Sequence, residues 1–270
     1  MRGSALVTPL PSVSRVRGAL LPLLLCAGLA VSATACAEEK PDPDKGTNGV
    51  GKLSAKAIEA RARATADAAT AVRLSGTLVS KGGTFKLNMR LKEDGGSGSV
   101  ASKENTFELL RVGDDLYLKA DAGFWTQKEG GPDGAPSTPT KEDVEAAGKL
   151  GDKYVKVPEG DPAYNDFRGF TEMDVLLEGL LGMQGKLSKG DRTEVGGLRT
   201  IKVQAEDGVG GVLDVSLEGK PYPLQFARAG GKGVLALREW DLDFELAAPS
   251  AGEIVDYGGK LPKSSGDRKP

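Results

Sequence analysis

The stretch TFKLNMRLK, residues 84–92, decides how this chain folds. Phe85, Leu87, Met89 and Leu91 alternate with Lys86, Asn88, Arg90 and Lys92. Every second side chain of a strand points to the same side, so a period of two gives one apolar and one polar face. A helix would scatter the same residues around its circumference. The stretch is therefore a strand of an antiparallel sheet that is covered on one side and wet on the other. Turn residues flank it: Lys81-Gly82-Gly83 before, and EDGGSGS, residues 93–99, after, which reads as a hairpin tip.

The same period spreads in both directions. Upstream lies VRLSGTLVS, residues 72–80. Downstream come SVASKENTFELLRV (99–112), DLYLKA (115–120), FWTQ (124–127) and KYVKVP (153–158). The final third is read as five strands: LRTIKVQAED (198–207), GVLDVSLEG (211–219), YPLQFARAG (222–230), GVLALRE (233–239) and WDLDFELA (240–247). Their apolar sets include Ile201/Val203, Leu213/Val215/Leu217, Leu224/Phe226, Leu235/Leu237 and Leu242/Phe244/Leu246. Lys202, Gln204, Asp214, Ser216, Arg238, Asp241 and Asp243 fall on the opposite, solvated face.

Three helices interrupt this pattern. Ser54 is placed to cap an Ala-rich helix to about Thr70, with Leu53 and Ile58 as a hydrophobic staple. Thr140 opens KEDVEAAGKL. Thr171 opens TEMDVLLEGLL with Asp174 at the third position, and Met173, Leu176, Leu177, Leu180 and Leu181 form one apolar stripe at helical spacing. The expected architecture is α+β: one large curved antiparallel sheet of about ten or eleven strands, with about three helices against its concave face.

The N-terminus has a different character. Arg2, Arg15 and Arg17 precede GALLPLLLCAGLAV, residues 18–31, and small residues then lead to Cys36. A basic segment, a short apolar segment and a small-residue zone describe an export signal. The apolar run is shorter than the roughly 20 residues of a spanning helix. Ala33-Thr34-Ala35-Cys36 resembles a bacterial lipobox, because a small residue stands directly before the cysteine. Leu25 stands before Cys26, the only other cysteine, so Cys26 belongs to the discarded signal. Cys36 is the expected lipidation site: a diacylglyceryl thioether on residue one of the mature chain would anchor it to the membrane, since two acyl chains hold where one is marginal.

Residues 1–35 are thus expected as signal peptide, 36–53 as acylated cysteine plus flexible tether, 54–258 as the folded domain and 259–270 as a solvated tail. Residues 36–270 carry 33 basic and 38 acidic side chains, too balanced for a nucleic-acid binder. Histidine is absent, which excludes a Ser-His-Asp triad and imidazole acid–base or metal chemistry. Ser188-Lys189 reads as turn chemistry, not as a catalytic pair. GTNGVGKL lacks the Ser or Thr that a phosphate loop requires, and Asp42 and Asp44 lack the closing Glu of a calcium loop. No catalytic residue, metal or cofactor is expected.

The order of lipobox, Ala-rich helix, meandering strands, inserted helices and closing hairpins, with ELLRVGDDLYLKADAGFW (108–125) and REWDLDFELAAPSAGEIVDY (238–257), resembles the LppX/LprG-type actinobacterial lipoproteins, relatives in fold of the LolA and LolB carriers. The resemblance implies a half-open β-barrel closed by helices, with an apolar cavity for the acyl chains of a lipid or acylated glycolipid. Alternation and the helical stripe make Leu87, Met89, Met173, Leu176, Leu177, Leu180, Leu181, Val203, Val215, Phe226, Leu237 and Phe244 the candidate cavity wall. The competing reading is a non-catalytic envelope sensor or interaction module in which these residues are simply packed core.

Overall fold

In a computed structural model, residues 42–80, 83–103, 105–126 and 140–255 are described. Within them, β1 (Ala71–Ser80), β2 (Gly83–Lys92), β3 (Gly95–Ala101), β4 (Thr106–Val112), β5 (Asp115–Ala120) and β6 (Tyr154–Val157) form one meander. A second runs through β7 (Leu187–Val195), β8 (Leu198–Ala205), β9 (Gly211–Ser216), β10 (Pro223–Ala227) and β11 (Gly233–Arg238). β11 returns to pair with β1, which joins the meanders into one open, curved sheet of 12 strands. The order is β12-β6-β5-β4-β3-β2-β1-β11-β10-β9-β8-β7, where β12 (Ile254–Val255) makes the one parallel pairing, to β6. The expected α+β architecture is present, with the two edges, β12 and β7, unjoined.

Register turns the alternation into a continuous apolar face. One row crosses seven strands: Leu237, Leu74, Met89, Gly98, Leu109, Leu118 and Val155 stand side by side. This inner face is covered by α1 (Ala55–Asp67), α2 (Ala122–Thr126), α3 (Lys141–Leu150), α4 (Pro162–Gly169) and α5 (Met173–Leu180), whose buried residues join the sheet in one core. Ser54 does cap α1, accepting from the Ala57 N–H at 3.3 Å. Ala55, Ile58, Ala62 and Ala66 form the buried side of α1, narrow enough for it to lie close on the sheet.

Several expectations are corrected. EDGGSGS is not a hairpin tip throughout: only Glu93 and Asp94 turn, and Gly95 already starts β3. The strand expected at FWTQ is not formed by Phe124–Thr126, because the Asp121 carboxylate accepts from the Phe124 N–H at 2.9 Å and turns the chain into α2, and Gln127 lies outside the described residues. WDLDFELA is not a strand either. Glu239 and Asp241 take positive φ angles of 53° and 59°, so β11 ends at Arg238. Ser188 and Lys189 lie in β7, not a turn. α4, capped by Asp161 with Pro162 in its first turn, adds an unforeseen helix.

Of the segment 36–53 expected as acylated cysteine and tether, residues 42–53 are described. From Asp42 onward the chain is seated on the sheet. Asn48 donates to the Ser216 and Gly219 carbonyls at 3.0 and 3.1 Å, Val50 is buried, and Arg192 clasps the Asp44 carboxylate at 2.7 Å. That clasp holds the Asp44 carboxyl below its ordinary range.

Candidate functional site

The candidate wall residues divide cleanly. Leu87, Met89, Val203, Val215, Phe226 and Leu237 on the sheet, and Met173, Leu176, Leu177, Leu180 and Leu181 on the stripe, all belong to the core between sheet and helices. Phe244 does not. It lies on the outer face, where the Lys92 ammonium and the Arg90 guanidinium sit 5.4 and 5.7 Å from its ring centre. Its apparent alternation with Asp243 belongs to a segment outside the sheet. Cys36 lies outside the described residues.

The eleven wall residues of this core are all buried, none more than 9% exposed. A small pocket of about 10 Å3 lies between Glu59 and Arg63 of α1 and Leu181, Leu213 and Pro223. Helix-borne rings do much of the filling. Phe107 of β4 meets Phe124 of α2 and Phe167 of α4, each at 5.6 Å between ring centres, and Trp125 stands edge-on to Phe124. The Trp125 indole N–H donates to the Ala120 carbonyl at 3.3 Å, so the ring is polar-satisfied at the sheet's end. Tyr164 of α4 donates its hydroxyl to the Asp114 carbonyl at 2.7 Å, and burial pushes that phenol's pKa up.

The sequence reading missed the polar contact that pins this cover. Arg111 points inward from β4 and is only 5% exposed. Its guanidinium donates to the Thr171 hydroxyl at 3.2 Å, the Thr171 carbonyl at 3.1 Å and the Gly113 carbonyl at 2.7 Å. Thr171 is therefore not the cap of α5; it is the joint between α4 and α5, and its hydroxyl donates to the Arg168 carbonyl. Register places Gly96 between Leu91 and Arg111 on this face. A Cβ at Gly96 would come within 3.1 Å of the Thr171 carbonyl oxygen, so the glycine makes room for the joint. The sequence signal was a charge at an inward position of LLRV, where the alternation called for another Leu.

The other buried polar side chains stand apart from the stripe. Asp161 caps α4, while Thr200, Asp214 and Ser216 face outward from the second meander. Among the described residues, no group of three or more His, Cys, Asp or Glu is placed to hold a metal ion, and no helix is long and apolar enough to cross a membrane.

No family model and no curated protein matches this sequence. Solved structures do. LprF from Mycobacterium bovis is similar at 13% identity, over 73% of this chain and 97% of that one, with a TM-score of 0.50. The lipoprotein LppX of Mycobacterium tuberculosis is 10% identical over 71% of this chain and 99% of that one, at a TM-score of 0.39. An uncharacterized conserved protein from Thermus thermophilus is 11% identical over 75% and 98%, at 0.34. The likeness to LprF establishes the fold. That shared fold agrees with the architecture expected from the sequence.

Proposed function

We propose, from a fold shared with LprF, that this chain is an exported lipoprotein, held at the outer face of the cell membrane by a diacylglyceryl group on Cys36, that binds the acyl chains of a lipid or acylated glycolipid between its sheet and its helical cover. It needs no cofactor and performs no covalent chemistry. One observation carries the reading. The contact between the Met173–Leu181 stripe and the sheet is apolar, with its hydrogen-bonded pin at one end, in Arg111 and Thr171. Among the described residues, no buried hydrogen bond ties the stripe to the sheet, so α5 can lift without breaking one there. An acyl chain can then take the place of the helix side chains, contributing about 0.8 kcal/mol per buried methylene.

The interaction-module reading is favoured by a different observation: the wall residues of this core are all buried, as ordinary core is. Binding of a fluorescent long-chain fatty acid, measured beside the thermal midpoint, separates the two. A carrier binds the probe, and Leu177→Trp blocks binding while the domain still folds. A purely packed interior binds no probe, and the added ring costs about 1–3 kcal/mol of stability. The anchor is tested independently. Cys36→Ala releases the protein from membranes or leaves it unprocessed, and cleaved Cys36→Ala protein retained on membranes would refute it.

A further inference from the structure

A second pocket, of about 340 Å3, opens on the far side of the sheet from the helical cover and is lined by Val195, Leu198, Tyr222, Leu224, Arg238 and Trp240 among others. Thr193 and Thr200, two residues from Val195 and Leu198 along their strands, turn their hydroxyls to Asp214 on this outer face. The volume falls at the small end of ligand pockets, roughly 300–1,000 Å3.

Its aromatic wall is held in a costly conformation. Tyr222 and Trp240 stack with ring centres 4.6 Å apart and planes 2° apart. Trp240 stands between two non-glycine residues with left-handed backbones, Glu239 and Asp241, a conformation that L side chains adopt only when their surroundings hold them there. The surroundings hold both in place. Arg73 and Arg90 grip the Glu239 carboxylate at 3.0 and 2.7 Å. Asp241 accepts from Lys220 at 2.7 Å, from the Tyr222 hydroxyl at 2.5 Å and from the Thr70 N–H at 3.0 Å. The Trp240 indole N–H is satisfied by the Pro223 carbonyl at 3.0 Å. Strain of this kind, fixed from several sides, is characteristic of binding sites.

The charges are equally specific. Glu218 is paired with Arg199, Glu239 with Arg73 and Arg90, and Asp241 with Lys220. The lining itself carries two cations, Lys220 and Arg238, and two carboxylates, Glu218 and Glu239, both of which are neutralised by arginines outside the lining. Arg238 is the cation left over, exposed and without an ion pair among the described residues. Its guanidinium lies against Gly196, where a Cβ would stand 3.1 Å from Nη1. A larger residue at that turn would displace it.

We infer that this pocket binds a small anionic amphiphile: a flat apolar body between Leu198, Leu224 and the Tyr222–Trp240 wall, with one phosphate or carboxylate received by Arg238. Of the candidate wall residues of the acyl layer it shares Leu237 alone, and its proposed anion contact, Arg238, lies outside that layer. Isothermal titration of the full chain with 1-naphthyl phosphate tests it. The ester binds, neutral 1-naphthol binds at least about tenfold more weakly, and inorganic phosphate alone gives no saturable heat. Arg238→Gln, a surface change that leaves folding intact, weakens the ester about tenfold or more, the effect of losing one charge-assisted hydrogen bond. Arg228→Gln, removing a cation outside the pocket lining, changes nothing. Trp240→Leu weakens ester and naphthol alike. Equal affinity in wild type and Arg238→Gln, equal affinity for ester and naphthol, or no heat from the ester at millimolar concentration would each overturn the assignment.

Discussion

Replacing Arg111 by methionine removes the pin of the helical cover while keeping most of the side chain's apolar stem. The magnitude follows from the three oxygens it serves. The Thr171 hydroxyl rotates freely and keeps its own bond to the Arg168 carbonyl, so it loses little. The Thr171 carbonyl contact is buried, and the Gly113 carbonyl contact is partly so. A buried acceptor left unsatisfied costs about 1–3 kcal/mol, and water reaches the Gly113 oxygen more easily. The guanidinium's own desolvation cost disappears at the same time, because among the described residues no carboxylate pairs with it. The net expectation is a loss of about 1–3 kcal/mol, which for a domain of about 200 residues lowers the thermal midpoint by roughly 2–12 °C. Arg111→Lys falls in between, since an ammonium cannot reach both carbonyls with the fork geometry of a guanidinium. Urea denaturation measures the stability, and stopped-flow with a fluorescent fatty acid measures opening. If the α4–α5 joint holds the cover down, the methionine variant takes up the probe faster than wild type. A stability change within about 0.5 kcal/mol, or a destabilised variant with unchanged uptake, would refute the pin.

Three further expectations test the frame around these sites. Gly96→Ala places a methyl 2.7 Å from Leu91 Cδ2 and 3.1 Å from the Thr171 carbonyl; overpacking of this kind costs about 1–3 kcal/mol, read from the urea midpoint. Asp214 is 1% exposed and accepts from Lys202 at 2.8 and 2.9 Å and from Thr193 at 2.9 Å, so Asp214→Ala should cost about 2–4 kcal/mol; Lys202, still reached by water, keeps the loss below the full 3–5 of a broken buried pair. The Asp241 carboxyl is held well below its ordinary value of 3.8, first by Lys220, then by Tyr222 and the Thr70 N–H. A depressed folded-state pKa gives stability that is complete above the ordinary value and lost as pH falls through the depressed one. Denaturation series between pH 6 and pH 2 should therefore show a steeper acid limb in wild type than in Asp241→Asn, and superimposable limbs would remove Asp241 from the account.

What the sequence disclosed followed from how cleanly each segment separated its two faces. β2, β8 and β9 lie inside the sheet with one dry side, and their alternation was plain. β7, LSKGDRTEV, is an edge strand whose inner face meets the seated segment 42–53: Lys189 reaches the Gly51 and Leu53 carbonyls, and Arg192 reaches Asp44. Polar partners on that side removed the apolar signal. β3 is masked by glycines, because its inner face must admit the Thr171 joint at Gly96. α4 carried a legible start, Asp161-Pro162, a capping carboxylate before a residue with φ set for a first turn. Its brevity hid it. The reverse error came at residues 240–247, where alternation was real but the backbone at Glu239 and Asp241 had already left the strand. A pattern of two records which residues alternate, and says nothing of whether a ladder partner exists.

The aromatic inventory bears on the acyl reading in a way the composition concealed. Rings make up only 5% of the chain, and their scarcity suggested an interior left open. The interior is instead closed by rings gathered on the cover: Phe124 and Trp125 on α2, Tyr164 and Phe167 on α4. The sheet beneath contributes mainly Leu, Val and Met. The filling therefore travels with the helices, and removing it leaves an intact sheet face. Withdrawing about four to six large side chains, at about 1.5–3 kcal/mol each, costs on the order of 10 kcal/mol. A chain of about 16 methylenes returns about 13 kcal/mol, whereas one of about eight returns only about 6. The exchange is close to balanced for a long chain and unfavourable for a short one. Affinity should accordingly rise steeply with chain length across a fatty-acid series from C8 to C18, with little binding at the short end. A flat series would mean that acyl chains do not replace the cover, and the buried layer would then be core alone.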